Sequence, residues 1–287
     1  MKKYLKKLAR TLPDSLYLRL IFLFRMKKIL NLKNPKTFSE KLQWLKLHDR
    51  NPEYTKMVDK YEVRKYIADK IGEEYLIPLL GVWDSFDEID FDKLPDQFVL
   101  KCNHDSGGLV VCRDKSALDF EKAKSKISKS LRNNYYLHGR EWPYKDVKPR
   151  IIAEKFMSDE NAENPERGLV DYKFYCFEGA PQFAYVSDGL EDHSTANINF
   201  VTMEWEKAPF RRLDFKEFDK LPKKPEHFEK MVELSKLLSE NIHFVRVDFY
   251  EINGKVYFGE LTFFPGSGLV DISPKEWDAE IGKYICL

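Results

Sequence analysis

The sequence predicts an α+β fold, in which a mainly helical N-terminal region precedes units that combine helices with antiparallel sheets. The first 75 residues carry apolar side chains at helical spacing, whereas from about residue 76 they form short runs rich in Val, Ile, Phe and Tyr. Several of these runs are separated by turn residues, as in β-hairpins. At 287 residues the chain is long enough to bury a sizeable core.

The first 30 residues are strongly basic. They contain nine Lys or Arg and one acid, Asp14, which gives a local charge of +8, so the remaining residues sum to −7. The longest apolar run, residues 20–24, ends at Arg25 and is too short for a membrane span, and no small-residue cleavage site follows. We expect an amphipathic helix that packs Leu and Phe on the core, with contact to anionic lipid as the alternative.

Two further helices are predicted before residue 76. NPKTFSEKLQWLKLHD begins with a proline turn, and Thr37 or Ser39 is placed to cap the helix that follows. MVDKYEVRKYIADKIG predicts a second helix that stops at its final glycine. On this helix Asp59, Lys60 and Arg64 share one side, which indicates a solvated face.

The predicted strands follow from the period-2 runs. They are LIPLLGVWDSF, QFVLKCN, GLVVCRD, RIIAEKFM, two strands around the turn at 178–181, and the two strands of RVDFYEINGKVYFGELTFF. EKAKSKISKSLRNNYYL and HFEKMVELSKLLSEN are predicted as helices, whereas residues 190–225 are poorly patterned. We place boundaries near residues 80 and 157.

The composition excludes several classes of protein. The four cysteines form no CxxC pair and no histidine stands at finger spacing, so neither a zinc site nor a disulfide framework is predicted, and a reducing cytoplasm fits best. A net charge of +1 lacks the basic excess of a nucleic-acid binder. No GxxxxGK[ST] pattern occurs, which excludes an ordinary P-loop.

A loop with two glycines follows the strand QFVLKCN. Alternation places Lys101 on the face opposite Phe98 and Leu100, immediately before this loop. Gly107 and Gly108 permit a close backbone approach, and such loops can point N–H groups at phosphate oxygens. A solvated hairpin tip, with a lysine that reaches into water, is the alternative.

The hairpin near the C-terminus carries charges where a plain hairpin would have Thr or Lys. Arg246 and Asp248 share one face of the first strand, and strict alternation places Glu260 and Thr262 on one face of the second strand together with Phe258. Whether the two charged faces coincide depends on the turn between the strands.

A two-residue Asn-Gly turn without a bulge would leave Glu260 on the face opposite Asp248. A three-residue turn over 252–254 would set Arg246 directly opposite Glu260, and a bulge of equivalent parity would also unite the charges. Asp248 and Glu260 would then be close enough to share a Mg²⁺ ion. An Arg246–Glu260 ion pair with a solvated Asp248 fits the spacing equally well.

Three other features carry weaker signals. His104 and His193 have no paired Cys or Ser in a nucleophile motif, so ordinary polar roles are expected. The string DFD at residues 90–92 is of the kind found in metal-dependent glycosyltransferases, but it is short and natural in a loop, so an ordinary loop is expected.

Taken together, these pieces resemble the ATP-grasp fold, and the chain as a whole resembles the TupA-like (teichuronopeptide-biosynthesis-like) ATP-grasp family found among bacterial surface-polysaccharide genes. The resemblance covers nearly the whole chain and is carried by NPKTFSEKLQWLKLHDR, DKYEVRKYI, LIPLLGVWDSFDEIDF, LPDQFVLKCNHDSGG, DYKFYCFEGAPQF, RVDFYEINGKVYFGELTFFPGSG and PKEWD. It implies two α+β subdomains, 81–157 and 158–287, whose antiparallel sheets sandwich ATP, after a helical region 1–80.

The resemblance also implies which residues bind the nucleotide. Lys101 would hold ATP phosphates. The loop that closes over the triphosphate would consist of His104, Asp105, Ser106, Gly107 and Gly108. The hinge strand that receives adenine would consist of Glu154, Lys155, Phe156 and Met157.

Catalytic and metal-binding roles are implied for the C-terminal half. Lys173 would lie near the terminal phosphate, and Arg246 would steady the transferring phosphoryl group. Mg²⁺ would be held by Asp248, Glu260 and Thr262. Thr262 stands where the wider superfamily usually has asparagine, which leaves the number of metal ions open. Asp159 and Glu160 are the candidates for the acid that grips the ribose.

The family context implies an ATP-dependent carboxylate–amine ligase that forms an amide through an acyl phosphate, with ATP and Mg²⁺. The acid would be a small-molecule or lipid-linked sugar acid and the other substrate an amine or amino acid. The enzyme would be cytoplasmic, with residues 1–30 suited to the inner face of the membrane. The alternatives are a kinase acting on a hydroxyl, a glycosyltransferase, and a non-enzymatic assembly factor at the membrane surface.

Overall fold

The computed structural model describes residues 11–162, 164–189 and 196–287. Its helices are α1 (Asp14–Met26), α2 (Phe38–His48), α3 (Glu53–Val58), α4 (Val63–Lys70), α5 (Phe120–Leu131), α6 (Tyr136–Gly139), α7 (Phe228–Leu238) and α8 (Glu276–Gly282). Its strands are β1 (Leu79–Trp83), β2 (Phe98–Cys102), β3 (Leu109–Cys112), β4 (Ile151–Lys155), β5 (Asp171–Phe177), β6 (Ala180–Asp188), β7 (Asn197–Thr202), β8 (Arg211–Arg212), β9 (Phe244–Ile252), β10 (Lys255–Thr262) and β11 (Ile272–Ser273). The predictions for residues 1–10 and His193 lie outside the described residues.

Helix α2 begins with a capping box. The hydroxyl of Thr37 accepts the backbone N–H of Glu40 at 3.2 Å, and the Glu40 carboxylate accepts the N–H of Thr37 at 3.2 Å. Of the two predicted caps, Thr37 is therefore the one used. Ser39 has a different role, since its N–H and its hydroxyl both donate to Asp278 of α8, at 2.9 and 3.0 Å.

The helix predicted over residues 57–72 is broken in two. Helix α3 ends at Val58, and Asp59 adopts an extended backbone whose carboxylate accepts the N–H groups of Tyr61 and Glu62 at the start of α4. Asp59 is buried at this break. The expectation of a solvated face over Asp59, Lys60 and Arg64 is wrong, because the local Asx-type turn of Asp59 competes with a continuous helix.

The first sheet has four antiparallel strands in the order β1-β4-β2-β3. Along β2 the side chains alternate as predicted, with Phe98, Leu100 and Cys102 buried in a core that α5 covers. Lys101 therefore points to the other face of the sheet.

The second sheet has five antiparallel strands in the order β10-β9-β5-β6-β7. Strand β7 lies in the stretch where no pattern was predicted. One face of this sheet packs on α7, where Phe174 and Phe228 have ring centroids 5.5 Å apart. Helix α2 packs on the same sheet through Phe38, whose ring lies 5.0 Å from that of Phe244. Helices α2, α3 and α4 thus share a core with the five-stranded sheet, whereas the buried side of α1 forms a separate small cluster.

The β9–β10 hairpin combines a two-residue turn with a bulge. Asn253 and Gly254 both have positive φ, and Ile252 pairs with Lys255. Further along, Phe258 pairs with Phe249, whereas Leu261 pairs with Val247, so that one extra residue is inserted between these pairs. The three-residue turn over 252–254 is therefore wrong. The other way to unite the charges, a two-residue turn followed by a one-residue bulge, is present.

The bulge changes which side chains share a face. Phe258, before it, points into the core. Glu260 and Thr262, after it, lie on the opposite face, so the expectation that they face together with Phe258 is wrong. Arg246 is paired with Thr262 and not with Glu260.

Among the described residues, no helix is both long and apolar enough to cross a membrane.

Candidate active site

A cleft of about 400 Å³ lies between the two large sheets. Its size is that of a small-molecule pocket. From the four-stranded sheet it is lined by Val99, Lys101, Leu109, Val111 and Glu154. From the five-stranded sheet it is lined by Asp171, Lys173, Tyr250, Gly259 and Glu260. Lys101 and most of the predicted nucleotide-binding residues therefore border the same space as Lys173 and Glu260, whereas Arg246 lies behind Glu260 and does not line the cleft.

Lys173 lies between two carboxylates on the face of the five-stranded sheet. Its Nζ donates to Asp171 Oδ1 at 2.6 Å and to Asp248 Oδ2 at 2.8 Å. The register explains the contacts, because Lys173 of β5 is paired with Asp248 of β9, and Asp171 precedes Lys173 by two residues on the same face. All three residues are buried.

Burial acts on the pKa values of this group in opposite directions. For Lys173, burial lowers the pKa, but Asp171 and Asp248 outweigh it and hold the pKa well above the usual range. For Asp171, burial raises the pKa against the attraction of Lys173. Lys173 is therefore a fixed cation over the whole physiological range of pH.

Arg246 binds Asp248 with a two-pronged contact. Its Nε lies 2.7 Å from Asp248 Oδ1 and its Nη2 lies 2.6 Å from Asp248 Oδ2. Nη2 also lies 2.8 Å from Glu260 Oε1 and 3.0 Å from the hydroxyl of Thr262. The cross-strand Arg246–Glu260 ion pair is present, but Asp248 is only 1 % exposed, so the alternative of a solvated Asp248 is wrong.

Glu260 is the acid of this cluster that reaches the cleft. Its side chain is 38 % exposed, and its Oε1 accepts the hydroxyl of Thr262 at 2.9 Å. Burial raises its pKa, but Arg246, Lys60 and Lys173 outweigh burial and lower the pKa of Glu260 to about 2. Glu260 is consequently ionised whenever the protein is folded near neutral pH.

The donor chemistry of Asp248, Glu260 and Thr262 fits Mg²⁺, which prefers carboxylate and hydroxyl oxygens. Asp248 Oδ1 accepts one N–H, from Arg246, and a carboxylate oxygen can accept a second partner. In Glu260 both the Arg246 and Thr262 contacts are made by Oε1. These three side chains could therefore hold a Mg²⁺ ion.

The glycine-rich loop is tied down by Asp105. Its Oδ1 accepts the N–H of Gly108 at 3.0 Å, and its Oδ2 accepts the hydroxyl of Ser130. A Cβ on Gly108 would lie 2.6 Å from Ser130 Oγ, so only glycine fits there. Ser106, by contrast, is exposed and lines the cleft, and a Cβ on Gly107 would meet nothing within 4 Å. The loop is anchored at Asp105 and open at its tip.

His104 does not direct its side chain into the cleft. It is 2 % exposed, and its Nε2 lies 3.0 Å from the backbone carbonyl of Asn133. Any contact of His104 with a nucleotide would therefore involve its backbone. The two acids of the DFD string also lie apart from the cleft lining, since Asp90 accepts the N–H of Asp92 and pairs with Lys93.

Lys101 and Glu154 form an ion pair on the four-stranded sheet. The Lys101 Nζ lies 2.6 Å from Glu154 Oε2, and Arg64 lies 3.4 Å from Glu154 Oε1. Lys101 is 26 % exposed and faces the cleft. The Lys101 ammonium can therefore leave Glu154 and bind a ligand in the cleft without exposing core side chains.

The segment after β4 forms the edge of the cleft. Lys155, Phe156 and Met157 line it, and only the first of these is still in the strand. Asp159 also lines the cleft, and its carboxylate accepts the N–H of Asn253 at 3.0 Å. Glu160 is not among the lining residues, and its backbone N–H donates to Asn253. Of the two candidates for the ribose acid, the geometry favours Asp159.

Three cleft residues were not predicted as site residues, and two of them, Lys60 and Arg64, were assigned to a solvated helical face. Lys60 donates through Nζ to the carbonyl of Asp105, and Arg64 reaches Glu154, so both belong to the nucleotide side. The sequence predicts one continuous helix over these residues, so Lys60 and Arg64 were expected to face water. Asp171 could have been found, since Asp171-x-Lys173 shows the same alternation of opposite charges in an apolar strand as Arg246-x-Asp248.

The turn that follows β10 is held by buried polar groups. Gly266, Ser267 and Gly268 all have positive φ. The Lys46 ammonium, fully buried, donates to the carbonyl of Ser267 and that of Gly139, both at 2.8 Å. Such a conformation for a serine needs outside support.

Glu141 completes this support, because its carboxylate accepts the hydroxyl of Ser267. Burial raises the pKa of Glu141 and lowers the pKa of Lys46 to about 8, and each charge opposes the effect of burial on the other. Helix α2, which carries Lys46, is thereby part of the structure that shapes the end of the cleft strand β10.

Comparisons with known proteins identify a family for the chain. The sequence model of the family described as TupA-like ATPgrasp matches residues 40–286. No curated protein matches significantly. Among solved structures, the D-alanine–D-alanine ligase from Helicobacter pylori is 15 % identical, with a TM-score of 0.45, and the match covers 86 % of this chain and 69 % of that chain.

Two further structures show the same degree of likeness. The D-alanine–D-alanine ligase from Bacillus anthracis complexed with ATP is 16 % identical, with a TM-score of 0.40, over 72 % of this chain and 53 % of that chain. The RimK domain protein ATP-grasp from Sphaerobacter thermophilus is 9 % identical, with a TM-score of 0.43, over 83 % and 70 %. These structural likenesses are too distant to support a conclusion about activity.

Proposed function

The chain belongs to the TupA-like ATP-grasp family, and on that premise we propose that it is an ATP-dependent ligase that joins a carboxylic acid to an amine and releases ADP and phosphate. The two antiparallel sheets that border the cleft are those of an ATP-grasp fold. One observation carries the proposal: Lys173, Arg246 and Glu260 meet on one sheet face, across the cleft from Lys101.

The reaction takes place in two steps. A carboxylate oxygen of the acid attacks the γ-phosphorus, the bond to the β,γ-bridging oxygen breaks, and ADP leaves. The amine nitrogen then attacks the acyl carbon, the bond to the phosphate oxygen breaks, and phosphate leaves as the nitrogen loses a proton. No enzyme side chain is acylated in this route.

The first step brings together two negatively charged oxygens, so its main obstacle is repulsion. Lys101, Lys173 and Arg246 would reduce it, since fixed cations stabilise developing negative charge without reorganisation. When bound, Mg²⁺ would add neutralisation of the phosphate charge. Asp248 keeps both Lys173 and Arg246 in position.

Two buried thiols are poorly suited to act as covalent nucleophiles. Burial raises the pKa of Cys102 to about 11 and that of Cys176 to about 12. Neither side chain is therefore a thiolate near neutral pH, and the thiolate is the reactive form.

The nucleotide is proposed to lie against the four-stranded sheet. Lys101 and the loop of residues 104–108 would take the phosphates, residues 154–157 the adenine, and Asp159 the ribose. Lys60 and Arg64 add positive charge on the same side. The metal would be held by Asp248, Glu260 and Thr262.

We propose a sugar acid, free or lipid-linked, as the carboxylic substrate and an amine or amino acid as the nucleophile. This choice rests on the chain's resemblance to a family found among bacterial surface-polysaccharide genes. Formation of an amide on a capsule or other cell-surface polysaccharide precursor in the cytoplasm would follow. A lipid-linked acid would require work at the inner membrane surface, and the basic first 30 residues are the part of the chain suited to that contact.

ADP release with pooled uronic acids and amines tests the activity. We expect release to be stimulated only when an acid and an amine are both present, and mass spectrometry of the product should show an amide. A phosphoester would identify a kinase instead. ATP with Mg²⁺ should raise the melting temperature more than UDP-sugars do. The opposite order would contradict the proposal and favour a glycosyltransferase.

A further inference from the structure

The outer face of helix α1 and the residues after it form an exposed apolar patch. Of the ten exposed large hydrophobic side chains in the described residues, five belong to this patch. They are Leu16 (44 % exposed), Leu20 (40 %), Leu23 (45 %), Phe24 (66 %) and Ile29 (83 %). We call these five residues the apolar patch.

The patch is not needed for packing the helix. At about 100° per residue, its four helical members lie within an arc of about 100° on one side of α1. The opposite side carries Leu18, Phe22 and Met26, which are buried. These buried residues pack against Leu47 of α2 and against Leu269, so α1 is already attached to the protein.

Positive charge lies next to the patch. Arg19, Lys27 and Lys28 are exposed near it, Arg25 is exposed on another side of α1, and residues 1–30 carry nine cations against one acid. That acid, Asp14, faces inward, with its carboxylate 3.3 Å from Arg140 and 3.6 Å from Arg50. The outer surface of α1 is therefore apolar and basic at once, while the rest of the chain has a net charge of −7.

An apolar helical face edged by cations matches an anionic lipid surface, in which acyl chains receive the apolar side chains and headgroups receive the charges. We propose that the apolar patch docks this protein onto an anionic bilayer, with α1 lying in the plane of the headgroups. The inference does not depend on the ligase chemistry.

The attachment of α1 fixes which part of the enzyme faces the bilayer. The hydroxyl of Tyr17 donates to the carbonyl of His138 at 2.9 Å, and Asp14 contacts Arg140. The same segment carries Glu141, which bonds Ser267 after strand β10. Docking through α1 would therefore bring the turn at the end of β10 towards the membrane, where a lipid-linked substrate of the proposed reaction would arrive.

Co-sedimentation of the full chain with vesicles tests this inference. We expect binding to vesicles of phosphatidylcholine with about one-third phosphatidylglycerol and little binding to phosphatidylcholine alone. The triple variant Leu20→Glu, Leu23→Glu, Phe24→Glu should bind at least tenfold more weakly. Leu237→Glu, at a side chain 42 % exposed on α7, is the matched control and should bind as the wild type does.

Other outcomes would overturn the inference. Full binding by the triple variant would show that charge alone, without the patch, attracts the protein to lipid. A wild-type dimer on size-exclusion chromatography that the triple variant abolishes, with no binding to anionic vesicles, would show that the patch joins two copies of the chain. Because the substituted side chains are exposed, an unchanged melting temperature is expected and serves as the check on folding.

Discussion

The two sheets that border the cleft hold their charged residues in different ways. On the four-stranded sheet, Lys101 is 26 % exposed and its ion pair with Glu154 lies at the cleft surface. On the five-stranded sheet, Lys173, Arg246 and Asp248 are buried and bonded to one another. Glu260 lies between these cases, since it is bonded to the buried group and exposed to the cleft.

This difference separates two kinds of dependence. Lys101 can be altered with little effect on folding, because it is partly exposed and its buried partner Glu154 keeps a second cation, Arg64. In the buried group each cation relies on a carboxylate, so removing one partner leaves an uncompensated charge in the interior. Stability and activity should therefore be lost together when the buried group is altered, whereas changes at Lys101 or Glu260 should lower activity with little loss of stability.

The largest effect is expected for Asp248→Asn. Lys173 and Arg246 would lose a shared carboxylate, so the free energy of unfolding should fall by about 3–5 kcal/mol. Acceptor-stimulated ADP release should fall at least about 100-fold, as for the loss of a charge-stabilising group. Urea unfolding and the ADP assay measure the two effects. Asp96→Asn, at an exposed acid, is the control, and a wild-type stability of Asp248→Asn would contradict the dependence within the buried group.

Glu260→Gln should separate activity from stability. ADP release should again fall by about 100-fold, because a metal ligand is lost, whereas the free energy of unfolding should change by less than about 1 kcal/mol. The same two assays apply, with Glu204→Gln as the exposed control. If ADP release survived both this substitution and Asp248→Asn, the metal assignment would be wrong.

Lys101→Met should affect nucleotide binding alone. The dissociation constant for ATP with Mg²⁺ should rise by about tenfold, which corresponds to about 1.4 kcal/mol. Stability should be nearly unchanged because Glu154 retains Arg64. Calorimetric titration with ATP measures the constant, and Lys93→Met, 83 % exposed, serves as the control. An unchanged dissociation constant would show that Lys101 does not contribute to ATP binding.

The smallest effect is a pH dependence. The pKa of Glu260 is lowered from its ordinary value of 4.5 to about 2 in the folded protein. Its contribution to stability is therefore fully present above pH 4.5 and is lost as the pH falls towards 2. The difference in unfolding free energy between wild type and Glu260→Gln should shrink over this range. A difference that stays constant from pH 6 to 2.5 would show that Glu260 is not held by Arg246.

The charged face of the five-stranded sheet could be predicted from the sequence only as far as strand alternation allows. Alternation places Arg246 on one face with Asp248, and Glu260 on one face with Thr262. Because a bulge is not visible in the spacing, the sequence could not decide whether these two faces are the same. The structure unites them at the Gly259–Glu260 bulge, opposite Asp248. A Cβ on Gly259 would lie 3.1 Å from the Asp248 carbonyl, which explains the glycine.

Other features could not be predicted because they depend on contacts far apart in the sequence. Lys60 enters the cleft only because Asp59 ends a helix and the loop at Asp105 lies nearby. Lys46 occurs in a run that reads as an ordinary amphipathic helix, yet its ammonium is buried against Ser267, more than 200 residues later. Local patterns give the faces of helices and strands, whereas tertiary partners decide which charges are buried.

The bulge in β10 also has a consequence for variation of the chain. The hairpin has two phases of alternation, one from Lys255 to Phe258 and another from Leu261 onward. A single-residue insertion at the Asn253-Gly254 turn would rotate Glu260 out of the cleft unless the bulge were deleted at the same time. Natural or engineered length changes in this hairpin should therefore occur in pairs, so that a change at the turn is matched by a change at the bulge and Glu260 stays on the cleft face.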